Sequence, residues 1–266
     1  MLKIKNLNEK TIFDGFCVKP SVSMRTGFSQ TNSKLEEALQ ERHRFLSERI
    51  AEGRVWGKII YQENESVGWI DYYPTDLQGW LSIGCIDVEE KNRGHGIGKS
   101  LIEVCIYDCK AKQSKGIIVY TTIWEHMPKN FFKKFGFIDT NEKADISRMT
   151  LKLKNIENPQ FPPQKNLYKP YLKKDKIVID LLRSGVCPTA FHMHDLIKKA
   201  AQHFKDKVII KEYALSEKKL IELFGNEFNR SDGIYINGDS CFFGYPGELK
   251  NIIIYLQKKI KEIEKD

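Results

Sequence analysis

The chain has 266 residues, enough for two ordinary domains or one large one. Hydrophobic residues make up 41% of it and include 15 Phe and 11 Tyr, so the composition supports well-filled cores and excludes a globally disordered protein. The formal net charge of +8 favours anionic partners, a phosphate-rich cofactor among them. It does not indicate nucleic acid, because the basic residues are spread over Lys-rich helix faces that are more simply solvated surface.

Nothing in the sequence predicts a membrane partner or a metal site. No apolar run reaches the roughly 18 residues of a transmembrane helix, and the N-terminal residues 1–5 alternate like a strand and lack the apolar segment of a signal peptide. We therefore expect a cytoplasmic protein. The six cysteines form no CxxC pair, and Cys105 and Cys109, one helical turn apart, are interpreted as buried thiols.

The first third of the chain predicts a strand, a helix and an antiparallel meander. An early strand and a polar loop fall within residues 1–32. A helix follows from Ser33, which has capping-box spacing to Glu36, and Gly53 ends it. Three segments rich in β-branched and aromatic residues then predict the strands 54–61, 65–73 and 81–88.

A glycine-rich loop joins the third meander strand to a helix predicted over residues 100–112. Gly94, Gly96 and Gly98 lie within five positions, flanked by Arg93 and Lys99. Glycines let backbone N–H groups converge, and a following helix N-terminus adds partial positive charge, so the loop predicts a phosphate or pyrophosphate site. The spacing is neither GxGxxG nor that of a P-loop. An ordinary glycine-rich strand-to-helix turn is the alternative interpretation.

Beyond this helix, residues 116–123 have few polar groups and predict a central strand covered on both faces. A short helix over 128–135 ends at Gly136, and two strands occupy 137–154. Prolines, lysines and asparagines then dominate residues 153–175, which predicts an extended linker whose Phe161, Tyr168 and Tyr171 pack on a domain surface.

The loop reads Arg-x-x-Gly-x-Gly at Arg93, Gly96 and Gly98, and this pattern resembles the acyl-CoA pyrophosphate loop of the GNAT superfamily of N-acetyltransferases. The order of elements over residues 1–152 is similar to the α+β mixed-sheet GNAT fold. The resemblance implies acetyl-CoA as cosubstrate, with its pantetheine arm on the backbone of Ile86 and Val88. The residues it implies around the pyrophosphate are Arg93, Gly94, His95, Gly96, Ile97, Gly98, Lys99 and Ser100.

The sequence departs from the family at the proton donor. Many members have a Tyr five residues before the Phe of a Gly-Phe pair, where it protonates the departing thiolate. Here Phe132 stands at that place before Gly136-Phe137. Another donor or water then does this work, or catalysis is weakened, at a cost of about 10²–10⁴ in rate.

The residues assign no general base either. Asp71, Asp87 and Glu125 lie near strand ends that would flank the cofactor, but a solvated surface carboxylate is the simpler interpretation of each. The backbone amide after the strand would polarise the thioester carbonyl, a role that no side chain is needed to fill. The catalytic residues therefore stay unassigned.

The last part of the chain predicts a smaller α/β domain from residue 176 onward. Its predicted elements are the strands 177–182 and 208–213, the helices 190–204, 216–224 and 246–261, and a hairpin over 233–243. This βαβαββα order, with Cys187 at the first strand-to-helix turn, resembles a thioredoxin fold. Ala190 stands where a redox enzyme has its second cysteine, and no proline stands directly before Gly233, where thioredoxins have their cis-proline.

Cys187 is therefore a candidate thiol with two interpretations. A helix N-terminus would lower its pKa and make a reactive thiolate, whereas an inert thiol retained on a binding scaffold explains it equally well. His192 and His194 do not add a metal site, because two residues apart on a helix point about 200° from one another.

The pairing of a GNAT domain with a single-cysteine thioredoxin-like domain resembles the YoaP-type GNAT proteins. We expect a GNAT domain at 1–152, a linker at 153–175 and a thioredoxin-like domain at 176–266. The predicted function is acetyl transfer to a small-molecule or peptide amine, with the second domain recognising substrate or partner. Two alternatives stay open: a thiol-redox module using Cys187, and a non-catalytic CoA-sensing protein. The amine and the oligomeric state are not predicted.

Overall fold

The structure, a computed structural model, describes residues 1–15, 33–122, 127–143, 146–160, 168–183, 189–214, 223, 233–241 and 248–264. The chain divides into two compact units, Met1–Lys19 with His43–Pro162, and Pro20–Arg42 with Pro163–Asp266. Each has its own sheet and its own core. The predicted domain boundaries at 152 and 176 stay predictions. No helix in the described ranges is both long enough and apolar enough to span a bilayer.

The first unit is built on a seven-stranded sheet in the order β1-β2-β3-β4-β5-β7-β6. The strands are β1 Leu2–Asn6, β2 Trp56–Gln62, β3 Glu65–Pro74, β4 Trp80–Val88, β5 Gly116–Thr122, β6 Ile138–Lys143 and β7 Ile146–Lys152. Only β4 and β5 pair in parallel, and the other neighbours in this sheet are antiparallel. A parallel pair needs a crossover, and here the glycine loop and a helix supply it. The predicted mixed sheet is confirmed.

Three helices are described in the first half of the chain: α1 Ser33–Ala51, α2 Ile97–Ala111 and α3 Lys129–Lys133. Helix α2 packs on the sheet through an apolar face that includes Leu101 and the fully buried Cys105 and Cys109, whose predicted burial is confirmed. It approaches β3 closely at Gly68, where a Cβ would lie 2.9 Å from Ile97 Cγ2. This close approach fixes where the N-terminus of α2 lies against the sheet.

The second unit has a four-stranded sheet and two described α-helices. These elements are β8 Ile177–Arg183, α4 Thr189–Gln202, β9 Val208–Ala214, β10 Ile234–Ile236, β11 Asp239–Cys241 and α5 Leu249–Ile263. The strand order is β11-β10-β8-β9, in which β8 and β9 are parallel and β10 is antiparallel to β8 and to β11. Buried residues of β8 form a core with α4 and α5. The predicted helix over 216–224 lies, apart from Leu223, outside the described residues.

Part of the predicted linker packs on the second unit. The Tyr168 hydroxyl donates a hydrogen bond to the buried Asp180, and its ring lies 5.0 Å from that of Tyr235. The Lys211 ammonium lies 3.6 Å from the centre of the Tyr171 ring, a cation–π contact. Both tyrosines thus pack on a domain surface as predicted and anchor the chain at residues 168–171, whereas Phe161 lies outside the described residues.

A histidine of α4 makes the stability of the second unit depend on pH. Burial lowers the pKa of His192 below its ordinary 6.5; Asp195 partly opposes this effect and Lys199 adds to it. Because the folded state favours the neutral ring, the unfolded chain binds the proton first as pH falls. We expect His192→Asn to reduce the loss of unfolding free energy between pH 7.5 and 5.5, measured by urea denaturation.

The exposed His203 provides the control, since within the described ranges its Nδ1–H donates a hydrogen bond only to the Lys199 carbonyl, near the end of α4. His203→Asn should leave the pH dependence as in the wild type. An identical pH dependence in the wild type and the His192→Asn protein would contradict the assignment.

Candidate functional site

The site is organised by the separation of β4 from β5. The two strands pair from Trp80 with Gly116 to Ile83 with Val119, and the pairing ends there although β4 continues to Val88. Exposure changes at the same point, because residues 80–83 are buried and Gly84 is exposed. The sheet therefore opens on this side of β4, and the strand edge beyond Ile83 has no partner strand within the described ranges.

A β-bulge lies where the opening begins. Asp71 pairs with Cys85 and Tyr72 with Ile83, so Gly84 is the extra residue of β4. The buried Asp71 carboxylate accepts the Cys85 N–H at 3.0 Å. A Cβ on Gly84 would lie 2.1 Å from that same carboxylate oxygen, so only glycine fits here. Asp71 therefore holds the bulge, a structural role that differs from the predicted solvated surface carboxylate.

A phenol also lies at the bulge. The ring of Tyr73 passes 2.8 Å from the position of a Gly84 Cβ. Burial raises the pKa of Tyr73 well above its ordinary value, and the nearby Asp71 charge adds to this effect. Tyr73 therefore stays protonated at neutral pH. Sequence reasoning did not identify this residue, because the bulge that brings it to the opening has no marker beyond a single glycine.

The glycine loop presents backbone donors to the end of β4. Gly94 and Gly96 have φ of +79° and +80°, the left-handed region that favours glycine, and a Cβ at either position would meet no atom within 4 Å. Gly96 is the N-cap of α2 and has no side chain that could cap the helix. The first hydrogen bond of the helix is donated by the Ser100 N–H to the Gly96 carbonyl. The N–H groups at the start of α2 therefore have no partner within the helix.

The helix begins three residues earlier than the sequence predicted. Residues 97–99 form the first turn of α2 instead of a loop before residue 100, because Gly96 supplies the left-handed turn that ends the loop. The anion seat is accordingly a helix N-terminus entered through two left-handed glycines. Such a terminus combines convergent N–H donors with the positive end of the helix dipole.

A pocket of about 650 Å³ lies between the loop and the end of β4. Its lining includes most of the predicted site residues: Ile86, Val88, Arg93, Gly94, Gly96, Ile97, Gly98 and Lys99. His95 and Ser100 are not among the lining residues. The Ser100 hydroxyl instead donates to the Gly96 carbonyl at 3.3 Å.

The opposite wall of the pocket was missed by sequence reasoning. It consists of Met127, Pro128, Phe131, Lys134 and Phe135, around the short helix α3. The Phe131 ring packs edge-on against Phe135 at 5.2 Å and lies 3.3 Å from the position of a Gly98 Cβ. The missing side chain of Gly98 thus admits Phe131 against α2. The predicted helix over 128–135 gave the element but not its role, and α3 spans only Lys129–Lys133.

Charge in the pocket is positive on balance. Among the residues that the structure describes, the lining includes Arg93, Lys99 and Lys134, against a single carboxylate, Asp87. Arg93 Nε donates to the Val88 carbonyl at 3.1 Å and its guanidinium pairs with Asp87 at 3.4 Å, so this side chain braces the end of β4. Lys99 lies 3.8 Å from Glu103. The balance suits an anionic ligand.

The side chains that the sequence suggested as candidates for catalysis do not all line the pocket. Phe132 is fully buried, with edge-on contacts to Phe131 and Phe137, and does not line the pocket. Asp87 lines the pocket, where it pairs with Arg93. Glu125 and the candidate thiol Cys187 lie outside the described residues.

Comparison with known proteins finds a family match within the first unit. Residues 51–139 match the family model described as "Acetyltransferase (GNAT) domain". The chain is similar to "Uncharacterized N-acetyltransferase YoaP" of Bacillus subtilis (strain 168), with 24% identity over 202 residues that cover 71% of this chain and 76% of the relative.

Solved structures with similar folds include two enzymes. One is the PaiA N-acetyltransferase of Thermoplasma acidophilum in complex with coenzyme A, which is 14% identical in sequence. The match covers 57% of this chain and 99% of the PaiA chain, with a TM-score of 0.47. The ribosomal-protein-S18-alanine N-acetyltransferase of Escherichia coli is 12% identical, covers 60% and 99%, and has a TM-score of 0.44. The family match at residues 51–139 includes β4, the glycine loop and α2. Residues 51–139 therefore match a GNAT acetyltransferase domain; the protein is an acyltransferase, and its cosubstrate is acetyl-CoA.

Proposed function

We propose that this protein transfers the acetyl group of acetyl-CoA to an amine of a small molecule or peptide. The observation that carries the proposal is the pocket in which the uncapped N-terminus of α2 faces the separated end of β4. In that pocket the diphosphate binds the loop Arg93–Ser100. The pantetheine arm then runs along the backbone of Ile86 and Val88, where β4 has lost its partner strand.

Binding of acetyl-CoA in this pocket is then sufficient to position the thioester for reaction with the amine. The neutral amine attacks the thioester carbonyl, a C–N bond forms and the C–S bond breaks. A backbone N–H at the end of β4 stabilises the oxyanion, which requires no side chain. The coenzyme A thiolate leaves and takes a proton, while the amine nitrogen loses one. Phe132 cannot provide that proton, so we assign no general acid or base.

For the second unit we propose a thioredoxin-like accessory role in recognising the amine or a protein partner. Its strand order β11-β10-β8-β9, with β8 and β9 parallel, supports this proposal. Cys187 lies two positions before the first residue of α4, whose N-terminus would favour a thiolate. The thiol-redox alternative therefore also stays testable.

One assay separates these functions. The protein is incubated with acetyl-CoA and a panel of amines that includes amino acids, polyamines, aminoglycosides and peptides, and products are detected by mass spectrometry. Acetyl transfer to any of them, retained by Cys187→Ser, is the expected result. Transfer lost in Cys187→Ser would favour the thiol-based alternative. Binding of acetyl-CoA without transfer to any amine would favour a CoA-sensing protein.

A further inference from the structure

The three cationic side chains among the described pocket residues differ in whether they are already paired. Arg93 is held by Asp87 and by the Val88 carbonyl, and Lys99 lies near Glu103. Lys134 is exposed, and it forms no ion pair with any residue that the structure describes. Of these three cations, Lys134 is therefore the one whose charge is available to an anionic ligand.

The neighbouring lysines of α3 show that this difference is specific to the position. Lys129 and Lys133 both lie near Asp139, at 3.1 Å and 3.6 Å. Lys134 continues the helical turn as its C-cap, so its side chain points about 100° away from that of Lys133. That rotation takes Lys134 away from Asp139 and to the pocket wall.

Lys134 also comes from a different wall than the glycine loop. The loop and the start of α2 supply backbone donors for one anionic group, and α3 supplies Lys134 across the pocket. A ligand with a single anionic group would leave one of these two features unused. Coenzyme A carries two: the diphosphate and the 3′-phosphate of its ribose.

We propose that Lys134 binds the 3′-phosphate and makes the pocket select coenzyme A over dephospho-coenzyme A. This inference rests on the proposed function, because it takes the loop as the diphosphate seat. The 3′-phosphate is dianionic, and a flexible Lys ammonium such as that of the exposed Lys134 pairs with a phosphate as a point charge.

The test is calorimetric titration of the full chain with coenzyme A and with dephospho-coenzyme A. We expect Lys134→Ala to weaken coenzyme A binding about fivefold or more and dephospho-coenzyme A binding less than about twofold, at low ionic strength where ion pairs count most. Lys134→Arg should restore the discrimination. Lys133→Ala is the matched control, because the Lys133 side chain pairs with Asp139. This variant should bind both ligands as the wild type does.

Two results would overturn the proposal. Equal weakening of both ligands by Lys134→Ala would place the lysine at the diphosphate or in the fold, and no weakening of either would leave it a solvated surface charge. Failure of the coenzyme A site on which the proposed function depends is distinguishable from both, because the wild type would then bind neither ligand.

Discussion

Gly96→Glu is expected to abolish measurable acetyl-CoA binding, a loss of about 100-fold or more in affinity. Gly96 is the left-handed N-cap of α2 and lines the pocket, so a Glu there adds strain and a negative charge at the point where the N–H donors converge. Charge-assisted hydrogen bonds are worth about 1.5–3 kcal/mol each, and losing two exceeds 100-fold. Isothermal titration calorimetry measures the effect.

Gly53→Glu separates this effect from backbone strain. Gly53 also has a left-handed φ, +65°, and a Cβ there would meet no atom within 4 Å, but it follows the end of α1 and does not line the pocket. Both variants should lose about 1–2 kcal/mol of unfolding free energy. Only Gly96→Glu should lose acetyl-CoA. Wild-type affinity in Gly96→Glu would contradict the proposed diphosphate seat.

Gly84→Ala is expected to destabilise the first unit by about 2–4 kcal/mol and to reduce acetyl transfer at least tenfold. The new methyl group would overlap the Asp71 carboxylate and displace it from the Cys85 N–H. Because that contact holds the bulge, the end of β4 that carries the proposed pantetheine site would shift. Chemical denaturation and steady-state kinetics measure the two effects.

A double-mutant cycle with Asp71→Ala tests the stated cause. If the clash is with the carboxylate, removing it relieves part of the strain, so the double variant is less destabilised than the sum of the single variants. Additive losses would show that Gly84 is constrained by something other than Asp71. A Gly84→Ala protein with wild-type stability and activity would contradict the role of the bulge.

The sequence predicted the parts of the fold that depend on local pattern. The meander strands, the buried β5 and the apolar face of α2 have clear periodicity, and the structure places each near its predicted bounds. The glycine loop could also be predicted, because left-handed turns need glycine at defined positions. The first residue of α2 could not be predicted, since Ile97, Gly98 and Lys99 are compatible with either a loop or a first helical turn.

Features that depend on tertiary contacts could not be predicted. The wall formed by Phe131 and Phe135 reaches the loop only because Gly98 leaves room for a ring across the fold. The bulge depends on a hydrogen bond between Asp71 and Cys85, which are fourteen residues apart in the chain. The difference between Lys133 and Lys134 is likewise visible only once Asp139 is located.

The sequence shows Phe132 at the place where many GNAT members have Tyr, and the structure offers a physical reason for the phenylalanine. A ring with no exposed surface, between Phe131 and Phe137, stabilises the contact of α3 with the core. A phenol hydroxyl buried there without a partner would cost about 1–3 kcal/mol. The aromatic position thus serves packing in this chain.

The central claim is that backbone amides at the start of α2 hold a diphosphate. A crystal structure of the full chain with coenzyme A tests it most directly. We predict diphosphate oxygens about 2.7–3.2 Å from backbone nitrogens of residues 96–99, with the pantetheine arm beside Ile86 and Val88. A diphosphate bound elsewhere, or those amides facing away from the ligand, would contradict the account.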